Sequence, residues 1–252
     1  MPQNSAMIDE SLGTETPVEP VASSPALSGT APVEELRIRM SEAEVAVLRR
    51  CLAVCKTYLE YGAGGSTRLA LTYPGIKSMT TVESDPKFIA DEFSNDAAAE
   101  AALESGRLRF LTPDIGPTGA WGCPIDRSKE HLWPLYALSP FLGEMAPDLI
   151  LIDGRFRVAC GLTAALEAPA STILIHDYSL RPEYHLLEQF LTIEERADTL
   201  VRCRRRDDFD AYAARKLLKR YSYSAVDNSQ LRMRLSAWKH GLKHLLSRVF
   251  PA

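Results

Sequence analysis

Three glycines within four positions, Gly62, Gly64 and Gly65, separate an apolar run from a helical pattern that begins at Ser66. The full segment reads Tyr58-Leu59-Glu60-Tyr61-Gly62-Ala63-Gly64-Gly65-Ser66-Thr67. Glycine is needed where the backbone takes φ > 0 or must approach another group with no Cβ in the way. A strand, a glycine turn and a helix start together form a nucleotide-type site. An ordinary tight strand-to-helix connection uses the same residues. The dinucleotide fingerprint G-x-G-x-x-G, started at Gly62, requires glycine where this chain has Thr67. It also has no place for Glu60, two residues before the first glycine.

The segments that follow repeat one design. Ile76 to Val82 is strand-like and ends in Glu83-Ser84-Asp85-Pro86, after which Lys87 to Leu103 reads as a helix. Glu83 lies 19 positions beyond Gly64, near the ~20-residue spacing at which doubly wound folds place an acid on ribose hydroxyls. A carboxylate can accept both hydrogen bonds of a vicinal diol. The alternative is an acidic helix start, with Pro86 at the first helical position. Arg107 to Leu111 is a short strand leading to Pro113-Asp114-Ile115-Gly116. Pro147 to Gly154 and Ser171 to Tyr178 are apolar runs that end in Asp153 and in His176-Asp177. Continuous apolar runs mark strands covered on both faces. Helical patterns follow at Arg157 to Glu167 and Glu183 to Leu191. The alternation predicts an α/β fold, a Rossmann-like open and mostly parallel sheet with helices on both faces. Ligands bind such sheets beyond the carboxyl ends of the strands. Glu60, Glu83, Asp114, Asp153 and Asp177 all map to those ends.

Taken with the E-x-G-x-G order at Glu60, residues 56 to about 192 resemble class I S-adenosylmethionine (SAM) dependent methyltransferases. The nearer resemblance is to the small O-methyltransferase-like branch, through Ile152-Asp153-Gly154 and His176-Asp177-Tyr178. It implies that Gly62, Gly64 and the nearby backbone hold the methionyl part of SAM, with Glu60 part of the same cofactor motif. Glu83 would bind the ribose, Asp114 with Ile115 the adenine, and Asp153 would sit beside the reactive methyl group. One departure matters. Relatives often continue the I-D-G motif with His or Asp and a Tyr, whereas this chain continues Arg155-Phe156-Arg157. The usual substrate contacts therefore do not carry over.

Asp153, His176 and Asp177 are the candidate catalytic residues, and two chemistries are open to them. In metal-dependent small-molecule O-methyltransferases, acids at these strand ends hold a divalent ion that lowers the pKa of an acceptor hydroxyl. His176 would tilt such a site toward a transition metal. Alternatively, His176 is a general base without metal. The lack of a second carboxylate or amide beside Asp177 favours the latter. Arg155, Arg157, Arg181 and His185 follow the same two strand ends. Arginine's planar fork suits carboxylates and phosphates, so these residues suggest an acceptor with an anionic group, such as a uronic-type sugar or sugar phosphate. They would equally neutralise the clustered acids. The long connection 112–146 carries Trp121, Trp133, Tyr136, five prolines and four glycines. Such loops are commonly lids, which makes Trp121 and Trp133 candidate pocket walls; plain padding of the sheet edge is the alternative.

Residues 1–35 have no Lys or Arg and are rich in Ser, Thr, Pro, Ala and Glu, a composition expected to stay disordered. They contain neither a basic n-region nor an apolar h-region, and no run approaches the ~18 apolar residues of a membrane span. The expected organisation is a tail to 35, a SAM-binding domain over 36–200, and a basic extension over 201–252. Ser41 to Glu44 form a capping box ahead of the first strand. Five cysteines without a C-x-x-C suggest free thiols and a cytoplasmic setting, with Cys51 and Cys55 on a shared core face. Positions 202–248 hold 13 Lys and Arg against 4 Asp and Glu, although the whole chain carries a net −4. From Leu231 a narrow apolar stripe, including Trp238 and Leu242, reads as an amphipathic helix within 229–250. It would dock on its own domain, a second subunit, a partner or an anionic membrane surface. Nucleic acid is disfavoured, because no stacking aromatics accompany Arg202-Cys203-Arg204-Arg205-Arg206. The functional expectation is O-methylation of a small hydroxylated acceptor with SAM. The alternative is a scaffold that keeps the fold, with SAM as ligand, and acts through its basic C-terminal helix.

Overall fold

A computed structural model describes residues 36–224. The expected tail and the helix from Leu231 lie outside these residues. Helix α1 (Glu42–Leu52) starts with the anticipated capping box, Ser41 and Glu44 each bonding the other's backbone N–H. Strand β1 (Thr57–Tyr61) then leads through the glycine turn into α2 (Gly65–Leu71). Next come β2 (Ser78–Val82), α3 (Pro86–Phe93), α4 (Ala97–Glu104) and β3 (Leu108–Leu111). A long crossover containing α5 (Pro134–Leu138) reaches β4 (Leu149–Ile152), followed by α6 (Arg157–Glu167) and β5 (Thr172–Ile175). An antiparallel pair, β6 (Leu191–Ala197) and β7 (Leu200–Arg205), precedes α7 (Ala211–Tyr221).

The strands form one seven-stranded sheet in the order β3-β2-β1-β4-β5-β7-β6. Strands β1 to β5 are parallel, and β7 runs antiparallel to both β5 and β6. This is the expected Rossmann-like sheet, with the order in which strands are added reversing between β1 and β4. Successive side chains of β4 alternate between two cores, as a strand covered on both faces requires. Leu149 and Leu151 join a core with Tyr58, Leu48 and Leu69; Ile150 and Ile152 join one with Leu59, Ala159 and Leu162.

Three expectations change. The helix expected over Lys87 to Leu103 is two helices, because Asp96 caps a new one, accepting from the N–H groups of Ala98 and Ala99. Arg68 holds the break by pairing with Glu92 at 2.5 Å and Asp96 at 2.9 Å. The helix expected over Glu183 to Leu191 is a 3₁₀ run, Pro182–Gln189, and Leu191 opens β6. The division expected at 200 coincides with the start of β7, whose Val201 and Cys203 are core residues, as is Ala214 of α7. The domain therefore extends at least to α7. Within β7, Arg202 pairs with Glu194 and Glu195, and Arg204 with Glu194, so cross-strand acids answer part of the basic run. All five cysteines are free, with Cys55 buried and Cys51 half-buried. No helix among the described residues is long and apolar enough to cross a membrane.

Candidate active site

The glycine turn is shaped by protein on one side and open on the other. Gly62 has φ +95°, and a Cβ there would fall 2.9 Å from Gly154 Cα. Its lack of a side chain is thus demanded by the end of β4, which it touches directly. A Cβ on Gly64 would meet nothing within 4 Å, so the turn presents bare backbone to open space at that residue.

Glu60 belongs beneath this turn. It is fully buried and accepts hydrogen bonds from Ser66, Thr67 (2.7 Å) and Thr81 (3.4 Å), locking the start of α2 onto β1. Its contribution to the site is therefore to hold the loop. Burial raises its pKa to about 7, against the lowering effect of the Ser66 and Thr67 hydroxyls. A carboxyl with a raised folded pKa adds stability that is complete below its ordinary value of 4.5 and is lost as pH rises through about 7. In urea titrations between pH 4.5 and 7, the wild type should lose stability with rising pH more steeply than Glu60→Gln. Parallel pH profiles for the two proteins would assign the titration to another group.

Glu83, just past β2, is half-buried and accepts from Ala63 N (3.4 Å) and Asp85 N (3.1 Å). Burial raises its pKa in spite of those bonds. The carboxylate thus sits beside the glycine turn. Asp114 differs: it is exposed on the rim, pairs with Lys129 at 3.0 Å and accepts from Gly116 N. The Lys129 hydrogen bond is the main cause that lowers its pKa. Ile115 is fully buried, and its carbonyl accepts from Trp133 Nε1 at 2.9 Å. Its side chain is core.

The crossover has two distinct halves. Trp133 and Tyr136 are buried and pack on Phe156 with centroids 5.7 and 5.4 Å away. Trp133 is therefore mostly core, and its remaining edge lines a shallow cavity with Pro124, Ile125 and Arg127. Trp121 is 66% exposed at the tip of a finger, residues 117–125. The finger is closed by Gly119 N to Cys123 O (2.8 Å) and Ile125 N to Pro117 O (2.9 Å).

At the ends of β4 and β5, Asp153 Oδ1 lies 2.8 Å from His176 Nδ1, and His176 Nε2 lies 3.4 Å from Glu44 Oε2. Glu44 belongs to α1 and also accepts from Thr199 N at 2.9 Å, a placement no local pattern revealed. Burial opposes charge on His176, yet the Asp153 hydrogen bond and charge outweigh it and raise its pKa. Burial likewise opposes ionisation of Asp153, but the charges of Arg157 and His176 keep its pKa below the ordinary value. Two residues here, Phe156 (φ 52°) and Asp177 (φ 59°), hold left-handed backbone, a strain that clusters at functional sites.

The arginines face these acids. Arg157, 5% exposed in its side chain, lies 3.1 Å from Asp153 Oδ1 and 3.2 Å from Asp177 Oδ2. It also donates to the carbonyls of Gly154, Asp153 and His176. Arg181 lies 3.1 Å from the same Asp177 oxygen. Buried Arg155 bonds Tyr136 Oη through its N–H and Cys123 Sγ through its guanidinium. His185 stacks on Tyr178 at 5.1 Å. Asp153, His176 and Asp177 do offer three ligand atoms within 4.8 Å of one another. A divalent ion there would have to compete with a guanidinium already bridging both carboxylates, so this donor set does not fit a resident metal.

No protein-family model matches this sequence, and no curated protein matches it. Among solved structures, a methyltransferase-like protein from Silicibacter pomeroyi shares 32% identity, covering 74% of this chain and 96% of that one, with a TM-score of 0.64. A putative caffeoyl-CoA O-methyltransferase from Staphylococcus aureus shares 14%, over 70% of this chain and 93% of that one, at a TM-score of 0.45. The N-methyltransferase NodS from Bradyrhizobium japonicum, in complex with S-adenosyl-L-homocysteine, shares 15%, over 71% and 95%, at 0.41. Neither of the last two is close enough to bear on cofactor or substrate. The first, with its identity over almost its whole length, places this Rossmann-like chain in the family of methyltransferase-like proteins.

Proposed function

We propose that the chain is a SAM-dependent methyltransferase that O-methylates a small hydroxylated acceptor. The observation that carries this is the Asp153–His176 pair at the ends of β4 and β5, beside a glycine turn whose open side is bare backbone at Gly64. The Gly62–Gly64 backbone and Glu83 would hold SAM, which when bound supplies an electrophilic methyl group. Asp114, on the rim, would meet the adenine end only at its edge.

Asp153 keeps 26% of its side chain exposed, and His176 keeps 10%. Asp153 is therefore the member that meets the acceptor, accepting a hydrogen bond from its hydroxyl. His176 lies behind it. In its base form the ring holds its proton on Nε2, facing Glu44 Oε2, and leaves Nδ1 open; the proton drawn from the hydroxyl passes through Asp153 to Nδ1. An alcohol is a poor nucleophile until its proton is drawn away, and a positioned acid–base pair contributes about 10²- to 10⁴-fold. Arg157 and Arg181 answer Asp153 and Asp177. The reading thus favours a neutral hydroxylated acceptor over a uronic-type sugar or sugar phosphate.

His176→Ala should lower kcat at least ~10²-fold while SAM affinity, measured by isothermal titration, stays within about threefold. Turnover that survives the substitution would remove the base role. SAM binding without turnover on any hydroxylated acceptor would instead favour the scaffold reading.

A further inference from the structure

Two segments distant in sequence meet above the glycine turn. The first is residues 36–40, which precede α1. A Cβ on Gly65 would fall 2.3 Å from the Leu36 carbonyl oxygen and 2.7 Å from Ile38 N. These residues therefore lie as a strap directly on the first turn of α2, one residue past the open backbone of Gly64. The second is the finger 117–125. Gly122, at φ +66°, passes close enough to the other rim that a Cβ on it would stand 3.8 Å from Glu83 Oε1 and 3.7 Å from Ser84 Oγ. The finger is anchored by Thr118 Oγ1 to Asp85 (3.3 Å) and by Arg155 to Cys123 Sγ (3.2 Å).

The strap and the finger meet at Arg39 and Trp121. The Arg39 guanidinium carbon lies 4.7 Å from the Trp121 ring centroid. Trp121 reaches this position from left-handed backbone, φ 62°, a conformation that residues with a side chain adopt only at a cost. Both residues are exposed, so neither is needed to fill a core. A finger closed by its own backbone bonds holds an exposed indole in left-handed backbone, facing a cation on a separate segment, beside the acid and open turn assigned to the cofactor.

We propose that Arg39 and Trp121 form a clasp that closes the strap and finger over bound SAM, so that its release requires this contact to open. The inference rests on the cofactor reading above, and it reassigns Trp121 from the acceptor pocket to the cofactor cover. A cation–π contact at an exposed site is equivalent to roughly a two- to fivefold change in an equilibrium. Trp121 also shields the opening itself, so its loss should have the larger effect.

The test is the release rate of radiolabelled SAM from the full-length protein, chased with excess unlabelled SAM, for the wild type, Arg39→Ala, Trp121→Ala and the double variant. Arg39→Ala should speed release roughly threefold and Trp121→Ala roughly tenfold. Trp121→Phe, which keeps a ring beneath the guanidinium, should recover much of the loss. In the Trp121→Ala background, Arg39→Ala should add nothing, since coupled residues are non-additive. Release rates equal to wild type, or effects that simply multiply, would overturn the clasp while SAM binding stands. A folded wild type that holds no SAM would overturn the cofactor reading, and the clasp with it.

Discussion

Replacing Glu83 with Ala is expected to weaken SAM binding roughly 30- to 150-fold, the equivalent of a lost charge-assisted pair worth about 2–3 kcal/mol. The carboxylate stands at the end of β2, beside the open glycine turn and beneath Gly122 of the finger. It also accepts from Ala63 N and Asp85 N, so the alanine variant alone would mix loss of a ligand contact with loosening of the turn. Ala63 N and Asp85 N bond different carboxylate oxygens, so Glu83→Gln keeps only one of those acceptors, and it can no longer accept two hydrogen bonds from a diol. The thermal midpoint reports any loosening of the turn. Both variants should bind SAM more weakly, with glutamine intermediate, and their thermal midpoints should differ little. Wild-type affinity in a folded Glu83→Ala protein would end the ribose assignment.

Gly154→Ala should cost at least about 3 kcal/mol of stability, beyond what an overpacked site usually loses. A Cβ there would fall 2.1 Å from Tyr136 Oη, 2.9 Å from Gly62 N and 3.0 Å from Tyr61 C. Two of these neighbours are backbone at the carboxyl end of the central strand β1, and the third is the hydroxyl of a buried ring that accepts from Arg155 N. None can move without disturbing the packed crossover. Gly143→Ala is the matched control, because a Cβ there meets nothing within 4 Å. Urea unfolding of the two variants should differ by several kcal/mol, and equal stabilities would show that the β4 end relaxes far more freely than its packing implies.

The Gly62–Gly154 contact also shows where reading a sequence reaches its limit. Three glycines in four positions announce a turn with special backbone needs, and the structure has one. The residues alone do not say what comes close. At Gly62 the close neighbour is β4, about 90 positions later in the chain; at Gly64 it is open space. Trp121 and Trp133 make the same point. Both sit in one long crossover with similar local composition, yet one is exposed on a self-closed finger and the other is core. Strands β6 and β7 escaped notice because their polar, alternating residues pair across an edge, where Glu194 and Glu195 meet Arg202.

The sequence by itself determined the alternation of strands and helices through β5, the Rossmann-like class and the edge where acids collect. Apolar runs of strand length and helical periodicity are local properties, and connection rules turn their alternation into a parallel sheet. Tertiary structure alone decided which side chain answers which charge. Arg157 bridges Asp153 and Asp177, and His176 sits between Asp153 and a glutamate from α1. Those pairings depend on distances between elements far apart in the chain, which no spacing along the sequence encodes.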